Sequence, residues 1–439
     1  MSPARAKMLD VLIAGNPAGH LIMSRDGELS FSYRPSYQGP DLSVGMPVST
    51  DDYVGRRVLA WFDNLLPDNP QVRRGMATEA GTSTGVFPLL ARFGLDLPGA
   101  IQVVPPDETR PSERESGYVL LTDSAIGARL RRLADDDARH RARSWTTSEE
   151  HWSLGGMQAK LALRRYKGQW YECTGGGASN IIVKPGAAGL DNQALVEYAT
   201  MRLAAACGLP SASVSLENFV GIEAIAIERY DRFTSPESGW VTRIHQEDLC
   251  QALATPSSKK YTADGGPSSA QAMELMRGAE GNSRGRFVDA LLFNYLTAST
   301  DAHAKNYSLL HPARSRYLLA PLYDVASAAP FMKKGKTYHL AMSIGGENRV
   351  GWLRKSSLER FAKTHDLDAD ALIDRTDEIA GAIIANIDAV LDELPRREGV
   401  DRLAEMLRLR LVALCKATQR NIRVESTHFK EIDITRYCD

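Results

Sequence analysis

Short apolar runs separated by turn residues open the chain, in the stretch MLDVLIAGNPAGHLIMSRDGELSFSY that begins at Met8. Gly15-Asn16-Pro17 and Asp26-Gly27 are typical of connections between antiparallel strands. A small antiparallel sheet is therefore predicted at the start of the chain. In the next stretch, RRVLAWFDNLLPDNPQVRRGMA from Arg56, apolar positions recur at every third or fourth residue. This spacing predicts helix, with a stop at Pro67.

Two segments separate this region from the second half of the chain. Residues 103–117, VVPPDETRPSERESG, carry prolines and charges in place of apolar periodicity and are predicted to be a linker. The arginine-rich stretch that follows places Leu130 and Leu133 on one side of a helix. Because Asp135, Asp136 and Asp137 interrupt the positive charge, we interpret this stretch as a solvated helix face rather than a nucleic-acid patch.

Short strands return after residue 150. QAKLALRRY, the stretch after the turn at Gly168, and NIIVKP predict three strands in quick succession. NQALVEYATMRLAAAC then predicts a helix, with Asp191 as its N-cap and Gly208 at its end. Two further strands are predicted near 212–219 and 222–229. The resulting β-β-β-α-β-β order is also that of the small lobe of protein kinases.

The predicted fold is therefore α+β, with a protein-kinase-like core of two lobes. The small lobe is expected to be five-stranded and the large lobe mainly helical, and a small β-rich N-terminal subdomain precedes them. The predicted boundaries are 1–150 for the N-terminal subdomain, β-rich and then helical, and 151–439 for the catalytic domain. Within the latter, the small lobe is expected at about 151–235 and the large lobe at about 236–439.

Composition excludes several classes of protein. The chain has 439 residues, 43% of them hydrophobic, and a formal net charge of -1, so no global positive field favours nucleic-acid or membrane surfaces. The five cysteines form no C-x-x-C pair and the nine histidines no H-E-x-x-H, so the spacing of zinc ligands is absent. No apolar run approaches the roughly 18 residues of a spanning helix. We expect a soluble, cytoplasmic protein without a membrane partner.

The candidate chemistry is phosphoryl transfer, which needs a fixed cation near the phosphates, a carboxylate that orients the attacking hydroxyl, and oxygen ligands for Mg²⁺. Lys184 ends a predicted strand, and Glu197 on the following helix could hold it in an ion pair. The stretch STDAHAKNYSLL places Asp301 and Asn306 five residues apart, the spacing D-x-x-x-x-N of a kinase catalytic loop. Asp324 follows the apolar stretch RYLLAPLY, as expected of a second metal-binding acid.

Each of these residues alone also has an ordinary structural interpretation. A lysine at a strand end is usually a solvated charge, and an aspartate after a strand is often a turn residue or helix cap. Their order along the chain favours the catalytic interpretation. Within the same loop, His303 could contact nucleotide or make a packing hydrogen bond, and Lys305 is expected to contact phosphate. AIERYDRF ends the fifth predicted strand, where backbone groups could meet adenine.

Five motifs follow one another in the chain: SLGGMQAKLAL, NIIVKP, HQEDLCQAL, TDAHAKNYSLL and PLYDVAS. Together they resemble the HipA-type serine/threonine kinases, which are toxin components of bacterial toxin–antitoxin pairs. SLGGMQAKLAL is similar to the S-x-x-G-x-Q-x-K loop of that family, NIIVKP to its nucleotide-lysine strand, and HQEDLCQAL to its H-Q-E-D helix. TDAHAKNYSLL and PLYDVAS are similar to its catalytic and metal-binding segments. The motifs span residues 153–327. Ala298 stands where the resemblance implies a glycine ahead of the catalytic aspartate.

The resemblance implies ATP- and Mg²⁺-dependent phosphorylation of a protein serine. Asp301 would be the catalytic base, Asn306 and Asp324 would bind Mg²⁺, and Lys184 the phosphates. Ser153 would be autophosphorylated, which silences the kinase because the added negative charge repels ATP. The remaining residues implied in nucleotide binding are the loop Gly155, Gly156, Met157, Gln158, Ala159 and Lys160, the adenine border Glu228, Arg229 and Tyr230, and His303, Ala304, Lys305 and Tyr323.

The resemblance also implies partners. An aminoacyl-tRNA synthetase, notably the glutamyl enzyme, would be the substrate, and its phosphorylation would inhibit translation and drive growth arrest or persistence. A HipB-type helix-turn-helix antitoxin would neutralise the kinase and bring it to operator DNA. Two alternatives stay open: a small-molecule kinase of the aminoglycoside or choline type, and a non-catalytic, DNA-bound corepressor. Residues 255–271 would be a flexible part of substrate docking or, as we favour, a disordered surface loop.

Overall fold

The computed structural model describes residues 7–106, 117–138, 158, 160–187, 189–424 and 428–437, without the side chains of 136–138. The strands within these ranges are β1 Lys7–Ile13, β2 Asn16–Met23, β3 Leu29–Tyr33, β4 Tyr53–Val54, β5 Ile101–Val104, β6 Gly117–Leu121, β7 Leu161–Tyr166, β8 Gln169–Thr174, β9 Ile181–Lys184, β10 Val214–Phe219, β11 Ile222–Glu228, β12 Arg232–Thr234, β13 Val241–Arg243, β14 His245–Asp248, β15 Ser308–Ala313, β16 Arg316–Leu319, β17 His339–Ile344 and β18 Glu347–Arg349. The α-helices are α1 Arg56–Asp63, α2 Pro70–Glu79, α3 Val86–Phe93, α4 Asp123–Ala138, α5 Gln193–Ala206, α6 Leu249–Ala252, α7 Ser269–Met276, α8 Ser283–Leu296, α9 Lys355–Thr364, α10 Ala369–Leu391 and α11 Glu398–Asn421.

The predicted N-terminal sheet is confirmed, with the strand order β4-β3-β2-β1-β5. Ile13 pairs with Asn16 across a two-residue turn in which Ala14 and Gly15 both have positive φ, the geometry that matches the twist of a hairpin. Phe31 of this sheet packs on Phe62 of α1, with ring centroids 6.1 Å apart, and both side chains are fully buried. The period-2 pattern of the strands and the helical period after Arg56 thus bury one shared core.

A second sheet has the order β10-β11-β9-β7-β8-β6. It contains the five strands that the sequence predicts, with α5 between the third and fourth of them, and so confirms the predicted strand and helix order. The prediction of five strands is incomplete, because β6 adds a sixth at the edge, pairing Gly117–Leu121 with β8. Gly117, the first residue of β6, is also the last residue of the predicted linker. The prolines and charges of that linker gave no indication that a strand begins there.

The described residues form two compact units. The first comprises those up to Asp191 together with Ser215–Lys260 and Ser308–Ala320, and the second comprises Asn192–Val214, Tyr261–Tyr307 and those from Pro321 onward. The first unit holds both large sheets and the three-stranded sheet β14-β15-β16. In the second, α10 packs against α5, α8, α9 and α11. The domain and lobe boundaries proposed from sequence stay a prediction.

Three local predictions need correction. Asn192, not Asp191, occupies the N-cap position of α5. HQED is strand β14 rather than helix, and the helix begins only after Asp248, whose side chain caps it by accepting from the backbone N–H of Gln251 at 2.8 Å. Residues 255–271 are not a disordered loop, since they form 3₁₀ turns at Ser257–Lys259 and Thr262–Asp264 before α7.

Candidate active site

The loop with the predicted catalytic residues begins where α8 ends. The backbone N–H of Ala298 donates to the carbonyl of Tyr295 at 3.0 Å, and that of Ser299 to the carbonyl of Asn294 at 2.8 Å. This is the Schellman arrangement, which satisfies the last carbonyls of a helix and places a left-handed residue after it. Ala298 has a φ of 51°, so the loop keeps a backbone that glycine usually supplies.

Asn306 holds the two predicted carboxylate residues through their backbones. Its Nδ2 donates to the carbonyl oxygen of Asp301 at 3.0 Å and to that of Asp324 at 3.3 Å. Because the amide nitrogen carries both hydrogens, these bonds leave Oδ1 as the atom that could bind a cation. Asp301 is exposed and Asn306 is buried. The structure therefore brings Asp301, Asn306 and Asp324 together within the second unit.

Asp324 is fixed by the segments on either side of it. Leu322 forms a parallel bridge with Ser211, and the backbone N–H of Ser327 donates to Oγ1 of Thr200 on α5 at 3.0 Å. Asp324 itself has a φ of 57°, a left-handed conformation that costs an L-residue roughly 1 kcal/mol or more. Strain of this kind is frequent at functional sites. An amide oxygen and a carboxylate are donors that suit Mg²⁺.

The rest of the loop is packed rather than solvated. His303, Ala304 and Lys305 are buried, and the hydroxyl of Tyr323 donates to the carbonyl of Lys305 at 2.6 Å. The sequence prediction missed one residue of this region, Tyr261. Its hydroxyl donates to Oδ1 of Asp301, and its ring meets that of His303 edge to face, with centroids 4.9 Å apart.

The predicted ion pair joins residues of different units and stays a prediction. Glu197 lies on α5 in the second unit and is 1% exposed. Lys184 ends β9 in the first unit, opposite Ile225 of β11, and is 4% exposed. Such burial excludes the interpretation of Lys184 as an ordinary solvated charge, because lysine is rarely buried unless it is paired. Lys160, directly before β7, is buried as well, and Gln158 is half-buried.

The segment predicted to border adenine contains a buried ionic cluster. Glu228 ends β11 and is exposed, and the hydroxyl of Tyr230 donates to Gln246. Arg229 instead turns its guanidinium inward, to Asp231 at 2.8 Å. We call the following group the arginine–aspartate cluster: Asp96, Arg229, Asp231, Arg232 and Arg243.

Within this cluster the aspartates stay ionised. Burial alone would raise the pKa of Asp96, but the attraction of Arg229, Arg232 and Arg243 outweighs it and lowers that pKa to about 2. The pKa of Asp231 is lowered for the same reason. The backbone N–H of Gly99 donates to Asp231 at 2.6 Å, and the carbonyl of Leu97 accepts from Arg229 at 2.9 Å. The guanidinium of Arg229 is therefore engaged within the cluster, and its backbone N–H donates to the carbonyl of Asn180 at 2.9 Å.

A second buried group surrounds Glu247 of the HQED strand. Its Oε1 accepts from the backbone N–H of Val44 at 2.7 Å and lies 3.1 Å from Nε2 of His311, while Oε2 accepts from Nε1 of Trp61 at 3.0 Å. Burial, followed by the proximity of His311, lowers the pKa of His245 to about 3. These contacts fix β14 to the N-terminal subdomain, so the HQED motif has a structural explanation within the first unit.

Part of the predicted site lies outside the described residues, namely Ser153, Gly155, Gly156, Met157 and Ala159. The glycine-containing loop and its modification site therefore stay predictions. Across the described ranges, no group of three or more His, Cys, Asp and Glu side chains is arranged to hold a metal ion. The same ranges contain no helix with both the length and the apolar character needed to cross a membrane.

Comparison with known proteins gives the class that this fold and site define. The model of the HipA-like C-terminal domain matches residues 152–391, and that of the HipA N-terminal domain matches 9–104. A chain in the solved complex of Shewanella oneidensis MR-1 HipA and HipB with operator DNA superposes with a TM-score of 0.82 at 25% identity, covering 95% of this chain and 100% of that one. The fold is thus that of HipA, which is kinase-like.

Two curated relatives agree. The "Putative kinase Y4mE" of Sinorhizobium fredii is 31% identical over 81% of this chain and 85% of that protein. The "Serine/threonine-protein kinase toxin HipA" of Shewanella oneidensis is 29% identical over 84% of this chain and 88% of that protein. The chain belongs to the HipA-like kinase family.

Proposed function

We propose that this chain is an ATP-dependent serine/threonine protein kinase that acts as the toxin of a toxin–antitoxin pair. The observation that carries the proposal is the hydrogen bonding of Asn306 to the backbone carbonyls of both Asp301 and Asp324, which brings the proposed base close to the two proposed Mg²⁺ ligands. The relatives that are named kinases, one of them a toxin, support the same activity.

Each residue has a definite role in this proposal. Asp301 accepts the proton of the substrate hydroxyl, and its exposure leaves it accessible to a protein serine. Asn306 and Asp324 hold Mg²⁺, which would offset negative charge on the phosphates. Lys184 binds the phosphates of ATP, with Glu197 as its ion-pair partner, and the backbone of Glu228, Arg229 and Tyr230 borders adenine. His303, Ala304, Lys305 and Tyr323 complete the nucleotide contacts.

Regulation and partners extend the proposal. Ser153 is the autophosphorylation site, and its phosphate displaces the loop Gly155–Lys160 from ATP by charge repulsion. A HipB-type antitoxin binds the chain and brings it to operator DNA. The solved complex of Shewanella HipA and HipB with operator DNA supports this part of the proposal. The protein substrate is an aminoacyl-tRNA synthetase, and its phosphorylation inhibits translation.

Self-labelling tests the activity. The purified chain with Mg²⁺ and γ-labelled ATP is expected to label itself, and Asp301→Ala is expected to abolish the label. Labelling that persists in Asp301→Ala would contradict the role of Asp301. ATP turnover that hydroxyl compounds stimulate, without protein labelling, would support a small-molecule kinase instead. Transfer of label to added glutamyl-tRNA synthetase tests the proposed substrate class.

The antitoxin is tested separately. A short helix-turn-helix protein encoded beside this chain is expected to co-purify with it and to retain operator DNA in a gel-shift experiment. A complex that forms equally well with Asp301→Ala would show that binding does not require catalysis. Absence of any such complex would contradict the toxin–antitoxin assignment but leave the kinase activity unaffected.

A further inference from the structure

A tyrosine from outside the catalytic loop contacts the proposed base. The hydroxyl of Tyr261 donates to Oδ1 of Asp301, 40 positions away in the sequence. The ring of Tyr261 also packs edge to face on His303, with an interplanar angle of 84° and 4.9 Å between centroids. His303 is only 5% exposed, so Tyr261 packs against a buried ring. Tyr261 therefore approaches Asp301 from one defined direction.

The segment that carries Tyr261 is itself fixed by its backbone. The N–H groups of Asp264 and Gly266 donate to the carbonyl of Tyr261 at 3.0 and 2.9 Å. Oγ1 of Thr262 donates to the carbonyl of Pro267 at 2.8 Å. A short 3₁₀ turn at Thr262–Asp264 follows directly. These bonds hold the tyrosine at the head of a closed turn, so its hydroxyl does not depend on a freely moving loop.

We propose that Tyr261 is a positioning residue for Asp301. This role rests on the proposed function, in which Asp301 is the catalytic base. A carboxylate on an exposed aspartate rotates among several orientations, and a hydrogen bond to one oxygen selects among them. With Oδ1 held by Tyr261, Oδ2 is presented to the hydroxyl of the substrate. Orientation matters in phosphoryl transfer because catalysis comes mainly from positioning and electrostatic stabilisation.

A purely structural role would give a different result. If Tyr261 only tied its turn to the catalytic loop, then loss of its hydroxyl would lower the stability of the fold or weaken nucleotide binding. If it orients Asp301, the loss acts on the rate of transfer at saturating ATP. An orienting role therefore changes the maximal rate of transfer, whereas a structural role changes the ATP concentration at half-maximal rate or the thermal midpoint of unfolding.

Tyr261→Phe is the informative variant, because it removes the hydroxyl and keeps the ring against His303. The maximal self-labelling rate with γ-labelled ATP is expected to fall about tenfold, since a hydrogen bond to a charged group is lost. The ATP concentration at half-maximal rate and the thermal midpoint of unfolding should match those of the unaltered chain. Tyr338→Phe is the matched control, because the hydroxyl of Tyr338 accepts from the backbone N–H of Lys333 at 2.7 Å. The self-labelling rate of this variant should not change.

The outcomes separate this inference from the proposed function. If Tyr261→Phe labels itself as fast as the unaltered chain, while Asp301→Ala does not label, then the positioning role is wrong and the kinase assignment stands. A loss of rate accompanied by weaker half-saturation or a lower thermal midpoint would also overturn it, in favour of a structural role. Labelling that persists in Asp301→Ala overturns both.

Discussion

Two groups of charged side chains in this molecule serve different ends. In the arginine–aspartate cluster of the first unit, Asp96 and Asp231 are buried and face Arg229 and Arg232 at 2.8 to 3.5 Å. In the loop of the second unit that holds the proposed base, Asp301 is exposed and accepts a hydrogen bond from a neutral hydroxyl. A buried carboxylate depends on the guanidinium groups beside it, because removing one partner of a buried ion pair is strongly destabilising, whereas an exposed carboxylate with a neutral partner is accessible for chemistry.

The largest effect is expected at Asp301, the proposed catalytic base. Asp301→Asn keeps the shape of the side chain but removes its ability to accept a proton, so the self-labelling rate should fall about 10²- to 10⁴-fold. The thermal midpoint should hardly change, because Asp301 is exposed. Asp370→Asn, at an exposed position in the first turn of α10, is the control and should leave both quantities as they are. A variant that loses stability together with activity would contradict the contrast between the two groups.

An aspartate-to-asparagine substitution in the arginine–aspartate cluster should instead lower the stability of the fold. Asp96→Asn leaves the buried Arg232 without one of its counter-charges, and breaking a buried pair in this way costs about 3 kcal/mol or more. The free energy of unfolding, measured from urea denaturation, should fall by that amount. Asp52→Asn, an exposed position of the first unit, should change it little. Equal effects of the two variants would show that the ion pairs of the cluster do not stabilise the fold.

The arginine–aspartate cluster should also make the free energy of unfolding sensitive to acid. Because the pKa of Asp96 is about 2 in the folded chain and 3.8 ordinarily, its contribution is fully present above about pH 4 and is lost as the pH falls through about 2. That contribution is about 2 kcal/mol. Urea denaturation at several pH values should therefore show a steeper loss of stability between pH 4 and 2 in the unaltered chain than in Asp96→Asn. Identical slopes would rule out this origin of the acid sensitivity.

The features that the sequence predicts correctly depend on residues close together in the chain. The periods of the strands and of α5 predicted the element order, and the five-residue spacing of Asp301 and Asn306 predicted a loop that the structure folds around the Asn306 amide. Both follow from neighbouring residues, because side-chain period and turn chemistry act over a few positions. The same local pattern predicts Lys184 at the end of its strand, where the structure has it.

Contacts between distant positions could not be predicted in this way. Arg229 and Asp96 are 133 positions apart. The stretch AIERYDRF does not show that its arginine side chains turn inward. Two arginines on either side of Asp231 at a strand end are nevertheless a signal of a buried pair. Tyr261 was missed because its segment is rich in Gly, Ser and Pro, which resembles disorder. Residue type alone does not predict the left-handed conformation of Ala298, because alanine rarely adopts it; only the resemblance implies a glycine at this position.

The smallest effect is expected at the margin of the cluster. Three arginines face two aspartates there, and Arg243 is the outermost, 3.6 Å from Asp96 and with its side chain 12% exposed. Burial and the neighbouring Arg229 lower the pKa of Arg232 to about 10, and Arg243 acts in the same direction. Its positive charge therefore attracts Asp96 but repels another member of the cluster.

Arg243→Gln should consequently change the free energy of unfolding by less than about 1 kcal/mol, because the lost attraction to Asp96 is offset by the lost repulsion toward Arg232. Urea denaturation beside Asp96→Asn measures the difference between the two positions. If Arg243→Gln costs as much as Asp96→Asn, then the balance of charge does not govern the cluster, and the hydrogen bond from Arg243 to the carbonyl of Gly176 carries more of the stability than its 3.3 Å length indicates. A small effect would show that the cluster needs as many arginines as it has aspartates and that the third adds little.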